Sequence, residues 1–445
     1  MSVLSKVRIR LTSFQIIILG FAGVILLGAL LLMLPVASRA GEVTPFGKTI
    51  FTATSAVCVT GLVVVDTATH WSYFGQAIIL LLIQIGGLGV ISVASFLSML
   101  AGKKISLMQR QTMQNAISAP QVGGIVKLTR FIFLASFSIE GIGALLLLPV
   151  FVSEFGAKGI WMSVFHSISA FCNAGFDLMG GISGKFSSLT SFASNGYVTA
   201  VICLLIILGG IGFLTWSDVI TKKHRFKEYK LQSKVILVTS LVLIVVPAVF
   251  FFFVDYGTEA MGTRVSLSIF QAVSPRTAGF NTADLTALTD AGKVLVMVLM
   301  LIGGSPGSTA GGMKTTTVAI LFTNVLSVFR KRQNAGCFGR RVDDSVVKNA
   351  ATLLFMYLTL AITAAIIISV AEGLPMQTCM FETFSAVGTV GLTLGITSGL
   401  SLVSQIVLII LMFFGRIGGL TIIYATFSQN DMVTSKYPME NITVG

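Results

Sequence analysis

Phe165-His-Ser-Ile-Ser-Ala-Phe-Cys-Asn-Ala-Gly175 decides the fold, because the chain carries this segment four times in altered spelling. Aligned on the last glycine, the others are Phe51-Thr-Ala-Thr-Ser-Ala-Val-Cys-Val-Thr-Gly61, Ile269-Phe-Gln-Ala-Val-Ser-Pro-Arg-Thr-Ala-Gly279 and Phe381-Glu-Thr-Phe-Ser-Ala-Val-Gly-Thr-Val-Gly391. Six positions before the glycine stand Ser55, Ser169 and Ser385, with Val273 in the third copy, and Leu62, Phe176, Phe280 and Leu392 follow. One glycine in a chain that has 45 means little, but four in matched contexts, 114, 104 and 112 residues apart, define four tandem units. Four copies of one re-entrant segment about an axis make a pore.

The surrounding sequence is membrane sequence. The chain is 54% hydrophobic and 11% charged, with mean hydropathy +0.92, far outside the composition of soluble domains. Apolar runs at about 14–36, 74–100, 131–152, 197–220, 235–254, 294–302 continuing past 314–329, 351–371 and 403–426 each approach the ~20 residues that cross a bilayer. That is eight spans, two per unit. The first run is longer than the ~7–15 apolar residues of a signal peptide, so it reads as a span. The expected architecture is an all-α polytopic membrane protein of four span, pore-loop, span repeats around a central pore, with eight transmembrane helices and four re-entrant half-helices. The expected units are 1–102, 103–222, 223–332 and 333–445.

The net charge of +13 is spread among separate connections and gives no nucleic-acid-binding face. Lys6, Arg8 and Arg10 precede the first span, and Lys103, Lys104, Arg110, Lys127 and Arg130 follow the second. Lys222, Lys223, Arg225, Lys227, Lys230 and Lys234 follow the fourth; Arg330, Lys331, Arg332, Arg340, Arg341 and Lys348 follow the sixth. The positive-inside rule makes these regions cytoplasmic, puts both termini inside and turns the four glycine segments outward. Anionic lipid headgroups or a docking partner account for the basic loops. The five cysteines show no CxxC spacing and imply no disulfide framework or zinc site.

The ten residues before each glycine are too few to cross ~30 Å of hydrocarbon, so they form a half-helix that dips in, and the chain returns extended. Irregular backbone at membrane depth must be buried in protein or line an aqueous cavity. Four such strands direct backbone carbonyls at the axis in place of an ion's hydration shell. The second spans carry their own repeat, Ile85-Gly-Gly-Leu-Gly89, Leu208-Gly-Gly-Ile-Gly212, Ile302-Gly-Gly-Ser-Pro306 and Phe414-Gly-Arg-Ile-Gly418, where small residues allow close helix approach. Leu31-Leu-Met-Leu-Pro35 and Leu145-Leu-Leu-Leu-Pro149 end first spans, and Pro247 ends the third less regularly.

These residues resemble the Trk/Ktr/HKT superfamily of potassium transporters over nearly the whole chain, and the length and eight spans look most like KtrB, the membrane subunit of Ktr systems. The resemblance implies a selectivity filter at Gly61, Gly175, Gly279 and Gly391, all glycine as in potassium-conducting relatives; serine in the first position marks sodium-selective plant members. It implies K+ ligation by the carbonyls of Cys58, Val59 and Thr60; Cys172, Asn173 and Ala174; Arg276, Thr277 and Ala278; and Gly388, Thr389 and Val390. The four strands differ in sequence, so weaker discrimination against Na+ is expected than in a symmetric filter. Potassium uptake through a channel-like path is the expected function, with a sodium-coupled or less selective monovalent-cation secondary transporter as the alternative. The resemblance also implies a homodimer and a KtrA-type cytoplasmic regulatory ring that binds ATP or ADP.

Gly303, Gly304, Ser305, Pro306, Gly307, Ser308, Thr309, Ala310, Gly311 and Gly312 cannot continue a helix, and the resemblance makes this stretch, to about Lys314, an intramembrane gate. Arg416 takes the place of Gly87, Gly210 and Gly304; a guanidinium at that depth faces a cavity or a partner. The expectation is that it projects toward the axis, bonds the loop's carbonyls and repels cations, or acts as a structural clamp, the two roles being compatible, with Lys314 either assisting or snorkelling. Asp66, Asp177 and Asp284 stand near the outer mouth, either concentrating cations or simply solvated, and Glu382, read as lying at the start of the fourth half-helix, is expected to cap it or to hydrogen-bond locally. No nucleotide motif occurs: Gly47-Lys48-Thr49 lacks the upstream glycine of a P-loop. An enzyme is not expected either, since His70, His166 and His224 are far apart and no HExxH or nucleophile elbow is present.

Overall fold

The computed structural model describes residues 12–102, 105–117, 121–182, 184–426, 438 and 440. The basic residues Lys6, Arg8, Arg10, Lys103 and Lys104, and nearly all of the tail after Phe427, lie outside the described residues. The first unit contains α1 (Ser13–Leu32), the half-helix α2 (Phe46–Val57), the short α3 (Thr67–His70), α4 (Tyr73–Leu88) and α5 (Val90–Leu100). After α6 (Leu107–Ile117), the second unit contains α7 (Ile125–Phe155), the half-helix α8 (Lys158–Phe171), α9 (Gly196–Ile211) and α10 (Phe213–Lys222). The third comprises α11 (Leu231–Val254), the half-helix α12 (Met261–Val273), α13 (Asp290–Leu301) and α14 (Thr315–Phe329). A hairpin of β1 (Gly336–Cys337) and β2 (Arg340–Arg341) leads to the fourth: α15 (Asp344–Glu372), the half-helix α16 (Met376–Gly388), α17 (Leu402–Ile417) and α18 (Gly419–Thr426).

The first helix of each unit is long and apolar enough to span a bilayer, yet only 33%, 33%, 28% and 28% of the most apolar windows of α1, α7, α11 and α15 is buried. Their leucines, valines and phenylalanines therefore face outward, as Leu27, Leu145, Leu241 and Phe355 do, which is favourable only against lipid. The half-helices are the reverse. Phe51, Phe165, Phe270 and Phe381 are fully buried and pack the centre of the molecule.

Every second span starts from a side-chain cap. Ser72, Asn195, Thr289 and Ser401 accept from the N–H of Gly75, Val198, Gly292 and Ser404 at the first turns of α4, α9, α13 and α17, satisfying donors that a helix start leaves open. The second spans then break. Gly89, Gly212 and Gly418 adopt φ of 87°, 97° and 88°, and the helix pairs that meet there turn by 97°, 97° and 91°. Positive φ is accessible to glycine without a Cβ clash, so the last glycine of each repeat motif is a corner and not merely a packing site. The second spans of the first, second and fourth units, expected as single runs, are thus corrected to sharply bent ones, while the third unit has the loop between α13 and α14 where a break is expected. The prolines are corrected as well, because α7 and α11 continue past Pro149 and Pro247. Pro35 alone follows its span, opening a short 3-10 turn.

Candidate functional site

The four half-helices end at Val57, Phe171, Val273 and Gly388, a few residues before their glycines. Each places the negative end of a helix dipole, equivalent to about half a charge, at the start of an extended strand. Along the strands the backbone repeats one conformation. Val59, Asn173, Thr277 and Thr389 have φ of 56°, 57°, 79° and 52°, and Gly61, Gly175, Gly279 and Gly391 have φ of 91°, 69°, 75° and 96°. An ordinary strand turns successive groups to opposite faces; a left-handed residue at every second position turns them back to one side. For β-branched Val59, Thr277 and Thr389 this conformation is an outlier costing about 1–3 kcal/mol each.

Hydrogen bonds behind the strands hold that strain. Thr60, Ala174 and Val390 donate N–H to the carbonyls of Ser55, Ser169 and Ser385, each at 2.8 Å. The Ser55 and Ser385 hydroxyls accept from the N–H of Gly61 and Gly391 at 3.0 Å, while the Ser169 hydroxyl donates to Phe176 O at 2.7 Å. In the third unit Ser274 takes over, accepting from Ala278 N–H at 2.9 Å and donating to Phe280 O. The serine missing at Val273 is present one residue later.

The four glycines meet in a closed ring. A Cβ added at Gly61 would stand 2.5 Å from the carbonyl oxygen of Ala174, and one at Gly175 would stand 2.7 Å from that of Ala278. At Gly279 it would strike the carbonyl of Val390, and at Gly391 that of Thr60. Each unit touches the next in chain order and the fourth returns to the first, which requires an axis through the ring. Cys58, Val59, Thr60, Cys172, Asn173, Ala174, Thr277, Ala278, Gly388, Thr389 and Val390 are all buried around it. Arg276 keeps its backbone in the ring but turns its side chain away, donating to Ser240 O at 3.5 Å and Ser240 Oγ at 3.3 Å on α11.

Above the ring lies a vestibule of about 360 Å³, lined by the four glycines and by Asp177, Asp284 and Lys185. Asp177 accepts from Met179 N–H at 2.9 Å; burial, with a smaller contribution from the Asp66 charge, raises its carboxyl to about 7. Asp284 is exposed and held below the usual carboxylate range by hydrogen bonds from Thr286. Asp66 does not face the vestibule. It caps α3 through Thr69 N–H and Oγ1, both 2.8 Å, and accepts from Phe186 N–H at 3.0 Å. Glu382 sits in the middle of α16, not at its start, and accepts from Thr393 Oγ1 at 2.9 Å and from Thr397. It ties the half-helix to the returning chain.

Beneath the ring lies the loop from Gly303 to Lys314, anchored on both neighbours. On the second unit Ser305 N–H donates to Gly210 O at 2.9 Å, Thr309 N–H to Gly209 O at 3.3 Å and Thr309 Oγ1 to Phe171 O at 2.9 Å; Asn173 Nδ2 donates to Thr309 Oγ1 at 3.3 Å. On the fourth, Gly312 N–H donates to Gly415 O at 3.1 Å. Gly303 and Thr315 close the base through Met313 O at 2.7 Å and Gly304 O at 3.0 Å, Ser308 Oγ bonds Ser305 O at 2.6 Å, and Gly307 O accepts from Phe213 N–H at 2.7 Å. Pro306, Gly307 and Ser308 form the half-buried tip, and Ala310 and Gly311 are buried. Lys314 does not snorkel: its Nζ folds back on Ala310 O at 2.8 Å and Gly311 O at 3.3 Å.

Arg416, on α17, crosses this layer. It donates to Thr309 O in the loop and to Gly86 O and Gly87 O of α4, the last at 3.0 Å. No carboxylate pairs with it among the described residues; three carbonyl dipoles offset the cost of an intramembrane guanidinium, ~2.5–3.5 kcal/mol on insertion scales. Between the loop and α6 is a cavity of about 130 Å³ lined by Arg416, Lys314, Ser308 and Asn115. In the first, second and fourth units Gly86, Gly209 and Gly415 press against the carbonyls of Val57, Phe171 and Val387 at the half-helix ends.

A family model described as TrkH, cation transport protein, matches residues 6–435. The chain belongs to this family. It is 42% identical to the potassium/sodium uptake protein NtpJ of Enterococcus hirae, over 99% of both chains, and 37% identical to the Ktr system potassium uptake protein B of Bacillus subtilis, over 98% of both. The crystal structure of the potassium transporter TrkH from Vibrio parahaemolyticus superposes with a TM-score of 0.73 over 94% of this chain and 85% of that one, at 16% identity, a likeness of fold. As a TrkH-family protein with these apolar helices, the chain is a multi-pass membrane protein.

Proposed function

We propose that the chain carries potassium through the ring, with Gly61, Gly175, Gly279 and Gly391 and the carbonyls of the residues before them as a cation filter. The ring closure, each glycine against the next unit's carbonyl, carries this reading: it leaves oxygens and no side chains at the narrowest level, which suits a dehydrated cation. The relatives named for potassium uptake support the choice of ion. Asp177 and Asp284 concentrate cations in the vestibule. The loop from Gly303 to Lys314 and Arg416 form the gate, blocking the axis with backbone and adding positive charge against cations. Both termini face the cytoplasm, where the basic connections dock a separate regulatory subunit that carries the nucleotide site, and the chain works as a homodimer.

A second reading, permeation or coupling of sodium, is favoured by one observation, the potassium/sodium name of the Enterococcus hirae relative. Rescue of a potassium-uptake-deficient cell by this chain, alone and with a regulatory subunit, tests ion and partner together. Gly61→Ser tests the ring in the same assay. Its side chain would meet the Ala174 carbonyl, so uptake should fall and the sodium share should rise. Unchanged potassium uptake with intact expression would overturn the filter.

A further inference from the structure

Away from the axis, the β1–β2 hairpin rests on α11 and α14. Two cavities meet there at one residue, Phe338. The first, about 440 Å³, is lined by Lys227, Lys230, Lys234, Arg340, Tyr229 and Glu228. The second, about 470 Å³, runs between α11 and α14 and is lined by Val238, Val242, Phe322 and Leu326, with only Thr239 and Thr323 bringing hydroxyls. Phe338 lines both, half exposed at the hairpin tip, with its ring 6.4 Å from that of Phe226.

The charges in the first cavity are left over after local pairing. Glu228 is engaged by Lys222 at 3.5 Å and Arg225 at 3.3 Å. Asp218 accepts from Lys230 N–H at 3.2 Å and Ser233 Oγ at 2.6 Å, capping the start of α11. Lys234 Nζ bonds Lys227 O at 2.7 Å, a neutral carbonyl. Among the described residues no carboxylate forms an ion pair with Lys227, Lys230, Lys234 or Arg340. Four cations thus surround a cavity at one end of an apolar groove whose wall residues Val238, Val242 and Phe322 are exposed by 41%, 51% and 63%.

We infer that this composite site binds an anionic phospholipid, its phosphate among Lys227, Lys230, Lys234 and Arg340 and an acyl chain in the groove between α11 and α14. Charge complementarity selects the occupant. A groove meant for another protein's apolar helix has no need of four unpaired cations at one end, whereas a phosphodiester with a hydrocarbon tail matches both halves. The choice of leaflet rests on the proposed cytoplasmic placement of the basic loops; binding itself does not. The site also reaches the gate, because α14 begins at Thr315, whose hydroxyl bonds Ser305 Oγ at 3.0 Å. A lipid wedged along α14 braces the helix from which the loop hangs.

Native mass spectrometry of the full chain, with phosphatidylglycerol or phosphatidylcholine added, tests this without measuring flux. The wild type should retain phosphatidylglycerol preferentially, and Lys227→Gln, Lys230→Gln, Lys234→Gln and Arg340→Gln together should weaken retention about tenfold or more, as expected when several basic contacts to an anionic headgroup are lost. Ala319→Trp, which fills the groove and keeps every charge, should also reduce it. Equal retention by either variant would overturn the site. Should the variants fold poorly, p-benzoylphenylalanine in place of Phe322 gives an independent readout. A crosslinked product heavier by one phospholipid supports the inference; a product of doubled mass means that a second copy covers the groove, and overturns it.

Discussion

The ring of glycines and the layer beneath it are made by the same four repeats under opposite rules. In the ring, four strands of different sequence share one backbone conformation, left-handed at Val59, Asn173, Thr277 and Thr389 and again at each glycine. Below it, three second spans turn at a single glycine, the third opens into a loop, and only the fourth supplies an arginine. On the proposed reading main-chain oxygens do the work of the ring, and there side chains are free to vary. Where it is done by one side chain and one loop, the symmetry has to break. The asymmetric layer still draws on all four units, because Arg416 reaches Gly86 and Gly87 of the first and the loop is anchored on Gly209 and Gly210 of the second.

The contrast breaks most severely at the ring. Gly279→Ala or Gly391→Ala forces a Cβ into a backbone carbonyl at positive φ, and potassium uptake should fall about a hundredfold, the scale of a strain of up to ~3 kcal/mol. Gly89→Ala shares the positive φ, but its nearest neighbour is Ser92 Oγ at 3.6 Å. It should cost much less in the same rescue assay, and equal losses would mean that strain alone, not the ring, sets the effect.

Arg416→Ala removes the bonds to Thr309, Gly86 and Gly87 and the charge with them. Flux into vesicles should rise about tenfold, with three hydrogen bonds lost at about 1 kcal/mol each and partly replaced by water. Unchanged flux at equal expression would make Arg416 a structural clamp only. Thr309→Val is milder: it deletes the hydroxyl shared by Phe171 O and Asn173 Nδ2 and should raise flux a few-fold, about 1 kcal/mol.

The smallest effect belongs to the vestibule. Asp177 has its carboxyl raised to about 7, so it takes up a proton as pH falls through that value and the mouth loses a negative charge. Uptake at low potassium should decline about twofold between pH 8 and pH 6, an order set by modest steering from a single carboxylate. The decline should vanish in Asp177→Asn.

Much of this was legible in the sequence because its physics is local. Apolar length gave the spans, and the aligned glycines pointed to a ring that their mutual contacts draw together. Gly303–Gly312 and Arg416 stood out as a helix that cannot continue and a charge at the wrong depth. What escaped was carried by backbone dihedrals and by register. Nothing in Val59 or Thr277 as letters announces a left-handed conformation, which β-branched residues disfavour and which the serine-anchored hydrogen bonds behind the strand impose. Ser274 stands one residue out of register with Ser55, Ser169 and Ser385 when the glycines coincide, so its equivalence shows only in its hydrogen bonds. The corners at Gly89, Gly212 and Gly418 read as packing glycines, because a bend of 97° and a close helix contact use the same small residue. For Asp66 and Glu382 the sequence offers only distance along the chain, and their partners Phe186 and Thr397 emerge only in three dimensions.

The contact that closes the ring joins Gly391 to Thr60, 331 positions apart, so it is the last of the four to become available as the chain is made. Loop-closure entropy grows only logarithmically with length, so the distance itself adds little cost. The order of synthesis is the larger constraint. Until the fourth half-helix has entered the bilayer, the first three strands face an open side; on the proposed filter reading they cannot enclose an ion, and a partly made chain offers no path through which a cell's gradients could leak away.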